Sequence, residues 1–161
     1  VAGFVIFGLL RGQEFLANFL ANRETNKVIK ELERPYREDK YGGKTPEETF
    51  DLFLEALRKD DIELASKYFE LENQDLWKEK LNKYSQDNLL DDFLLDYEQT
   101  RREWILSSND SLRAEYNYTE VISKSAKTKI GDQIIEIPAG TYINSVVFIK
   151  SLNGLWKISS L

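Results

Sequence analysis

The pattern of apolar and polar positions divides the chain into a helical first part and a strand-rich last third. Up to about residue 100, apolar positions recur at intervals of three and four residues, which is the spacing of amphipathic helices. Beyond that point, apolar and polar residues alternate or form short β-branched and aromatic runs, which predict strands. Helices followed by antiparallel strands indicate an α+β fold, with the helices packed on one face of the sheet.

One helix start carries a complete set of signals. Thr45 is a suitable N-cap, Pro46 suits the first helical position, and Glu48 completes a capping box. Asp60 or Asp61 is expected to end this helix and to cap the next one. The apolar stripe that marks the buried face of the helix consists of Phe50, Phe53, Leu54 and Leu57.

The last third predicts strands joined by turns. The stretch 112–123 alternates, which places Tyr116 and Tyr118 on one face of a strand. Two later strands are separated by the sequence Pro-Ala-Gly at 138–140. Asn153 and Gly154 form the strongest hairpin signal, so the closing stretch VVFIKSLNGLWKISSL predicts an antiparallel pair of strands.

The N-terminal segment is predicted to be one long helix over residues 1–34, ended by Pro35. A charged linker over 35–44 and a domain over 45–161 then follow. The opening run VAGFVIFGLL carries no charge over ten residues. Because a bilayer-spanning helix needs about 20 apolar residues, this run suits either the end of a longer membrane span or a helix buried between subunits.

Two groups of apolar side chains in the N-terminal helix are predicted to have separate roles, one in anchoring and one in subunit contact. The residues predicted to anchor it are Phe4, Val5, Ile6, Phe7, Leu9 and Leu10. The residues predicted to contact neighbouring subunits, including copies of the same chain, are Phe15, Leu16, Phe19 and Leu20. Basic and acidic residues alternate through and beyond this segment, which favours a solvated or self-packing helix face over a polybasic lipid-binding one.

Composition excludes several kinds of chemistry. The 161 residues include no cysteine and no histidine, so disulfides, thiolate metal ligands, cysteine nucleophiles and histidine bases are excluded. The net charge of −6 argues against a nucleic-acid partner. The acidic residues Asp91, Asp92 and Asp96 lack the spacing of a calcium-binding EF-hand loop. We therefore predict no metal and no cofactor.

Two stretches resemble the nuclear transport factor 2-like (cystatin-like) superfamily. One is TPEETFDLFLEALRKDDIELASKYF, a capped helix, an acidic break without the glycine common in that group, and a short helix. The other is NSVVFIKSLNGLWKISSL, an apolar strand, a glycine-containing turn and a W-K-I strand. The resemblance covers residues 45–161 and implies a cone: a curved antiparallel sheet around helices, a pocket at its mouth, and Trp156 packed on the helix of Phe50 and Phe53.

The resemblance implies a fold more than a function, because the superfamily includes isomerases, dehydratases and hydrolases as well as non-catalytic scaffold domains. Candidate pocket residues are Asp96, Tyr97, Tyr116 and Tyr118. A carboxylate beside phenols suits proton abstraction next to a carbonyl if its pKa is raised, although tyrosines at a period of two are also ordinary strand residues. A deep pocket with a buried carboxylate would favour catalysis, and a pocket filled by aromatic rings would argue against it.

The leading hypothesis is a non-catalytic, membrane-anchored structural or interaction subunit of a larger assembly. A membrane-proximal helix before such a domain is similar to inner-membrane scaffold subunits of secretion systems, with the domain outside the cytoplasm, in the periplasm or at the cell surface. Its partners would be the membrane and other protein subunits. Two alternatives stay open: a pilin-like filament subunit whose helix bundles with its copies, and a small-ligand binder or enzyme that uses the cone pocket.

Overall fold

The computed structural model describes residues 24–130 and 133–161. The chain divides into two compact units, the first extending to Asp39 and the second covering Lys40–Leu161. The side chains predicted for anchoring and for subunit contact lie outside the described residues: Phe4, Val5, Ile6, Phe7, Leu9, Leu10, Phe15, Leu16, Phe19 and Leu20. Within the described ranges, no helix combines the length and the apolar character that crossing a membrane requires.

The described part of the first unit is a helix, α1, over residues 24–38. It continues one turn beyond Pro35, where the sequence predicted its end. A proline within a helix removes one N–H donor and crowds the carbonyl four residues earlier, but the last turn of α1 keeps other bonds. The backbone N–H of Asp39 donates to the carbonyl of Pro35 at 3.1 Å, and Arg37 pairs with Glu33 at 2.7 Å.

The second unit is α+β, with helices followed by antiparallel strands, as the hydrophobic pattern predicted. Its helices are α2 Pro46–Arg58, α3 Ile62–Ser66, α4 Gln74–Gln86 and α5 Leu90–Thr100, with 3-10 turns at Leu71–Asn73 and Arg101–Glu103. Its strands are β1 Ile105–Asn109, β2 Arg113–Ile122, β3 Ala126–Ile130, β4 Gln133–Ile137, β5 Gly140–Lys150 and β6 Trp156–Ser160. A four-stranded sheet has the order β1-β2-β5-β6, and β3 pairs with β4 in a separate two-stranded sheet.

The helix caps lie where the sequence predicted them. Thr45 accepts a bond from the backbone N–H of Glu48 at 3.1 Å, and Asp61 accepts one from Leu64 at 2.9 Å. The carboxylate of Glu48 accepts its bond from the backbone N–H of Lys44 at 2.6 Å. In a standard capping box the carboxylate at the third helical position bonds to the N–H of the N-cap residue itself. Here Glu48 bonds instead to Lys44, one residue before the N-cap.

The core forms where the apolar stripe of α2 meets the sheet. All four stripe residues are buried, and they share one cluster with Phe69 from the segment after α3, Val146 and Phe148 from β5, and Ile158 from β6. Trp156, expected against this helix, belongs to the same cluster. Phe53 and Phe69 meet edge to face with ring centroids 5.3 Å apart, which is a favoured aromatic geometry.

A network around Thr49 ties the last strand to α2. Its buried hydroxyl accepts the backbone N–H of Gly43 at 2.9 Å and lies 3.0 Å from the carbonyl oxygen of Trp156. The amide of Trp156 in turn donates to the carbonyl of Gly43 at 2.9 Å. Gly43 was predicted to be part of a linker, but a Cβ there would come within 2.6 Å of the Thr49 nitrogen, so this position is packed into the domain.

Replacing Thr49 with valine should destabilise the fold by about 1–3 kcal/mol, because the buried N–H of Gly43 and carbonyl of Trp156 lose a partner while the side-chain shape is kept. Denaturant unfolding of the full chain measures this. The matched control is Thr141→Val, the same change at an exposed position of β5, which should shift stability by less than about 0.5 kcal/mol. Equal effects of the two substitutions would contradict the role of Thr49.

Candidate functional site

Aromatic rings fill the space between α2 and the sheet. We call Phe50, Trp104, Tyr116 and Phe148 the aromatic cluster. The ring of Trp104 lies 4.5 Å from Phe50, 5.0 Å from Tyr116 and 5.7 Å from Phe148, measured between centroids. Tyr116 and Phe148 meet edge to face at 6.0 Å. The guanidinium of Arg101 covers the outer side of Trp104 at 4.7 Å.

The hydroxyl of Tyr116, one of the predicted pocket residues, donates to the carboxylate of Glu47 in the first turn of α2. Burial raises the pKa of Tyr116, and the bond to Glu47 raises it further. Burial alone would raise the pKa of Glu47, but the bonds from Tyr116, from its own backbone N–H and from Thr45, together with the charge of Arg101, leave that pKa lowered. Glu47 is therefore ionised at neutral pH and accepts a proton poorly.

The other three predicted pocket residues, Asp96, Tyr97 and Tyr118, lie together. They line a cleft of about 400 Å³ between α5 and β2, away from Tyr116. The remaining lining residues are Gln99, Thr100, Glu103, Thr119, Glu120 and Val121. Three of the four predicted pocket residues therefore lie around one cleft, and Tyr116 lies elsewhere.

The two tyrosines of the cleft are perturbed in the same direction. Burial raises the pKa of both phenols, and the charge of Glu120 raises both further. The side chain of Asn144 donates to the carboxylate of Glu120. Both phenols therefore stay protonated at neutral pH.

The cleft walls are acidic. Asp96, Glu103 and Glu120 line it, and none of its lining residues is basic. In the part of the chain that the structure describes, no three carboxylates are close enough to hold a metal ion. Asp96 is exposed, and the carboxylate that contacts a phenol is that of Glu47, whose pKa is lowered. The acidic lining of the cleft is thus suited to attracting a small cation, and the Glu47 carboxylate outside it is poorly suited to proton abstraction at neutral pH.

Sequence reasoning missed Glu47. Its only local signal is its position in the first turn of α2, where acidic residues are common because they favour the positive end of the helix dipole. Its partner Tyr116 is 69 residues away, and no spacing pattern reports such a contact.

No family model, curated protein or solved structure matches this chain. The resemblance to the nuclear transport factor 2-like superfamily therefore stays a prediction.

Substituting Tyr116 by phenylalanine should raise the pKa of Glu47, because its strongest hydrogen-bond donor is lost. A carboxyl with a lowered folded-state pKa stabilises the fold above its unfolded-state value, and that stabilisation is lost as the pH falls through the folded-state pKa. The variant should therefore be less stable than the native chain at pH 7, and the difference should shrink in acid. Carboxyl NMR titration and denaturant unfolding measure both effects.

Tyr142→Phe is the matched control, since that hydroxyl donates to the carbonyl of Pro138 at 2.8 Å and touches no carboxylate in this bond. It should leave the pKa of Glu47 unchanged. If the pKa of Glu47 were the same in Tyr116→Phe and in Tyr142→Phe, the bond from Tyr116 would not be the cause of the lowered pKa.

Proposed function

We propose that residues 40–161 form a non-catalytic interaction domain of the nuclear transport factor 2-like type. The domain would be held outside the cytoplasm by the N-terminal segment, as a structural subunit of a membrane assembly. The observation that carries this proposal is the aromatic cluster. A pocket filled by aromatic rings argues against a cone-pocket enzyme, and here Phe50, Trp104, Tyr116 and Phe148 fill the space between α2 and the sheet, next to Tyr116 of the predicted pocket.

The electrostatics around the aromatic cluster support the same proposal. A general base works best when its pKa lies near the operating pH. Glu47 has a lowered pKa and is bonded to a tyrosine hydroxyl, so its carboxylate serves to hold Tyr116 in place. Its role is then structural, joining the first turn of α2 to the face of β2.

The proposed cone rests on the geometry of the sheet. β2 and β5 pair continuously from Arg113↔Ile149 to Ile122↔Gly140, which makes a long central hairpin. The flanking pairs are interrupted by irregularities between Leu106 and Ser108 in β1 and between Val147 and Phe148 in β5. Bulges bend strands and increase their twist, so both sides of the hairpin favour a curved sheet.

The proposed assembly role also draws on α1. Val28, Ile29 and Leu32 are exposed large apolar residues, and their spacing puts them on one side of the helix. Helices of about 15 residues are marginal in water on their own. An amphipathic α1 that follows the uncharged run VAGFVIFGLL therefore suits packing against other subunits near a membrane, and a filament subunit would use the same surfaces.

The proposal predicts that the full chain, purified gently from its native source, sediments with membranes, requires detergent, and co-elutes with other membrane proteins. Ile6→Lys should abolish membrane sedimentation, because a charge in an apolar anchor is costly. The matched control is Leu152→Lys, the same kind of change at an exposed position of the domain. This variant should still sediment with membranes. A detergent-free polymer of this chain alone would replace the proposal with the filament alternative.

A second candidate function is small-ligand binding in the acidic cleft. The observation that favours it is the pair of phenols beside three carboxylates, a setting that attracts small organic cations through charge and aromatic faces. A soluble monomer in the sedimentation experiment would overturn the assembly proposal and favour this candidate.

A further inference from the structure

The turn between β5 and β6 contains a pair of residues with its own chemistry, Asn153 and Gly154. Of the ten asparagines in the chain, only Asn153 precedes a glycine. Asparagine is a thermolabile residue, because the backbone nitrogen of the next residue can attack its side-chain amide. Glycine hinders this attack least, since it has no side chain. Gly154 is exposed, and a Cβ there would meet no atom of the described residues within 4 Å.

The reaction is a deamidation that needs only water. The backbone nitrogen of Gly154 forms a bond to Cγ of Asn153 and gives up its proton. The bond between Cγ and Nδ2 breaks, and the side-chain nitrogen leaves with that proton as ammonia. Water then opens the resulting cyclic imide at one of its two carbonyl carbons. The products are aspartate, or isoaspartate in which the main chain runs through the former side chain.

The folded turn holds both reacting groups in other bonds. The N–H of Gly154 donates to the carbonyl of Ser151 at 2.9 Å, and Oδ1 of Asn153 accepts the N–H of Leu155 at 3.0 Å. The N–H of Ser151 closes the loop on the carbonyl of Leu155 at 2.8 Å. Gly154 has a φ of +86°, as in a three-residue hairpin loop that ends in a left-handed glycine. The Gly154 nitrogen cannot lose its proton and turn toward Cγ until these bonds open.

We propose that Asn153 is a deamidation site whose reaction is controlled by opening of the β5–β6 turn. β6 is fastened directly after the turn, since the amide of Trp156 donates to the carbonyl of Gly43 and that of Ile158 to the carbonyl of Tyr68, both at 2.9 Å. The turn therefore opens together with β6. When opening and closing are fast relative to the reaction, the rate follows the open fraction. This inference does not rest on the proposed function.

The two products have different consequences for β6. Aspartate keeps the backbone and still offers an oxygen to the N–H of Leu155. Isoaspartate adds one carbon to the main chain of the loop, so the bonds between Ser151 and Leu155 cannot both keep their geometry. Trp156 is the next residue, and its amide is the one bonded to Gly43. Isoaspartate should therefore loosen the start of β6, in a change that water alone does not reverse.

The first test compares rates in the full chain, incubated at one mildly alkaline pH with and without denaturant. Deamidation adds about 1 Da to the peptide that contains Asn153. The reaction should be at least about tenfold slower in the folded chain, because the turn is closed in most molecules. The internal control is Asn109, which is exposed and precedes Asp110. It should react more slowly than Asn153 in denaturant.

Two variants test the control by β6 without changing the turn. Thr49→Val removes the hydroxyl that lies 3.0 Å from the carbonyl oxygen of Trp156. It should raise the rate at Asn153 in the folded chain at least about fivefold, as a larger open fraction requires. Thr141→Val, at an exposed position of β5, should leave the rate within about twofold of that of the native chain.

The second test compares the two products. Asn153→Asp has the charge of the isoaspartate form but an unchanged backbone. Amide exchange at Trp156 should be at least about tenfold faster in the purified isoaspartate form than in Asn153→Asp.

Three outcomes would overturn the inference. Equal rates in the folded and the denatured chain would mean that the turn does not control the reaction. An unmodified Asn153 in denatured chains whose Asn109 has reacted would remove the site. Equal exchange at Trp156 in the two products would mean that the modification does not reach β6.

Discussion

The hydroxyl of Thr49 is the contact on which the rest of the domain depends. It links the start of α2 to Gly43 and to the backbone of Trp156, 107 residues further along the chain. Because these bonds are buried, breaking any of them leaves unpaired polar groups, which is more costly than losing an exposed bond. This link holds β6 against α2, which brings Ile158 into the core and closes one edge of the sheet with the protein's own backbone.

The aromatic cluster fills the space between α2 and the sheet. The Glu47–Tyr116 bond joins the first turn of α2 to β2 beside this cluster. Two surface features of the described residues stand out: the acidic cleft of Asp96, Tyr97 and Tyr118, and the edge of β1 that faces away from β2. The inner wall of the cleft belongs to the core, because Tyr118 is part of the buried cluster and Tyr97 packs against it.

Local signals in the sequence predicted local structure well. The caps at Thr45 and Asp61, the buried stripe of α2 and the alternation of β2 depend on residues a few positions apart, so a spacing rule captures them. The hairpin at Asn153 and Gly154 was also predicted. These are the parts of the fold in which propensity and tertiary packing agree.

The features that the sequence did not predict depend on contacts between residues far apart in the chain, or on a local energetic cost that neighbouring contacts offset. Gly43 lies in the stretch predicted as a linker, yet it bonds to Trp156. α1 tolerates Pro35 because one lost bond does not stop a helix whose last turn keeps its other partners. Three of the predicted pocket residues line one cleft. Tyr116 shares a strand face with Tyr118, but its ring lies within the aromatic cluster.

The most direct test of this account is the rate of amide hydrogen exchange at Trp156 and Ile158, compared with the rates across β1. If the chain closes the β6 edge itself, both β6 amides exchange only through global unfolding at every protein concentration. The amides of β1 that do not bond to β2 exchange faster than these two. Rapid exchange at Trp156 and Ile158 would contradict the account, since it would mean that the β6 edge is not held.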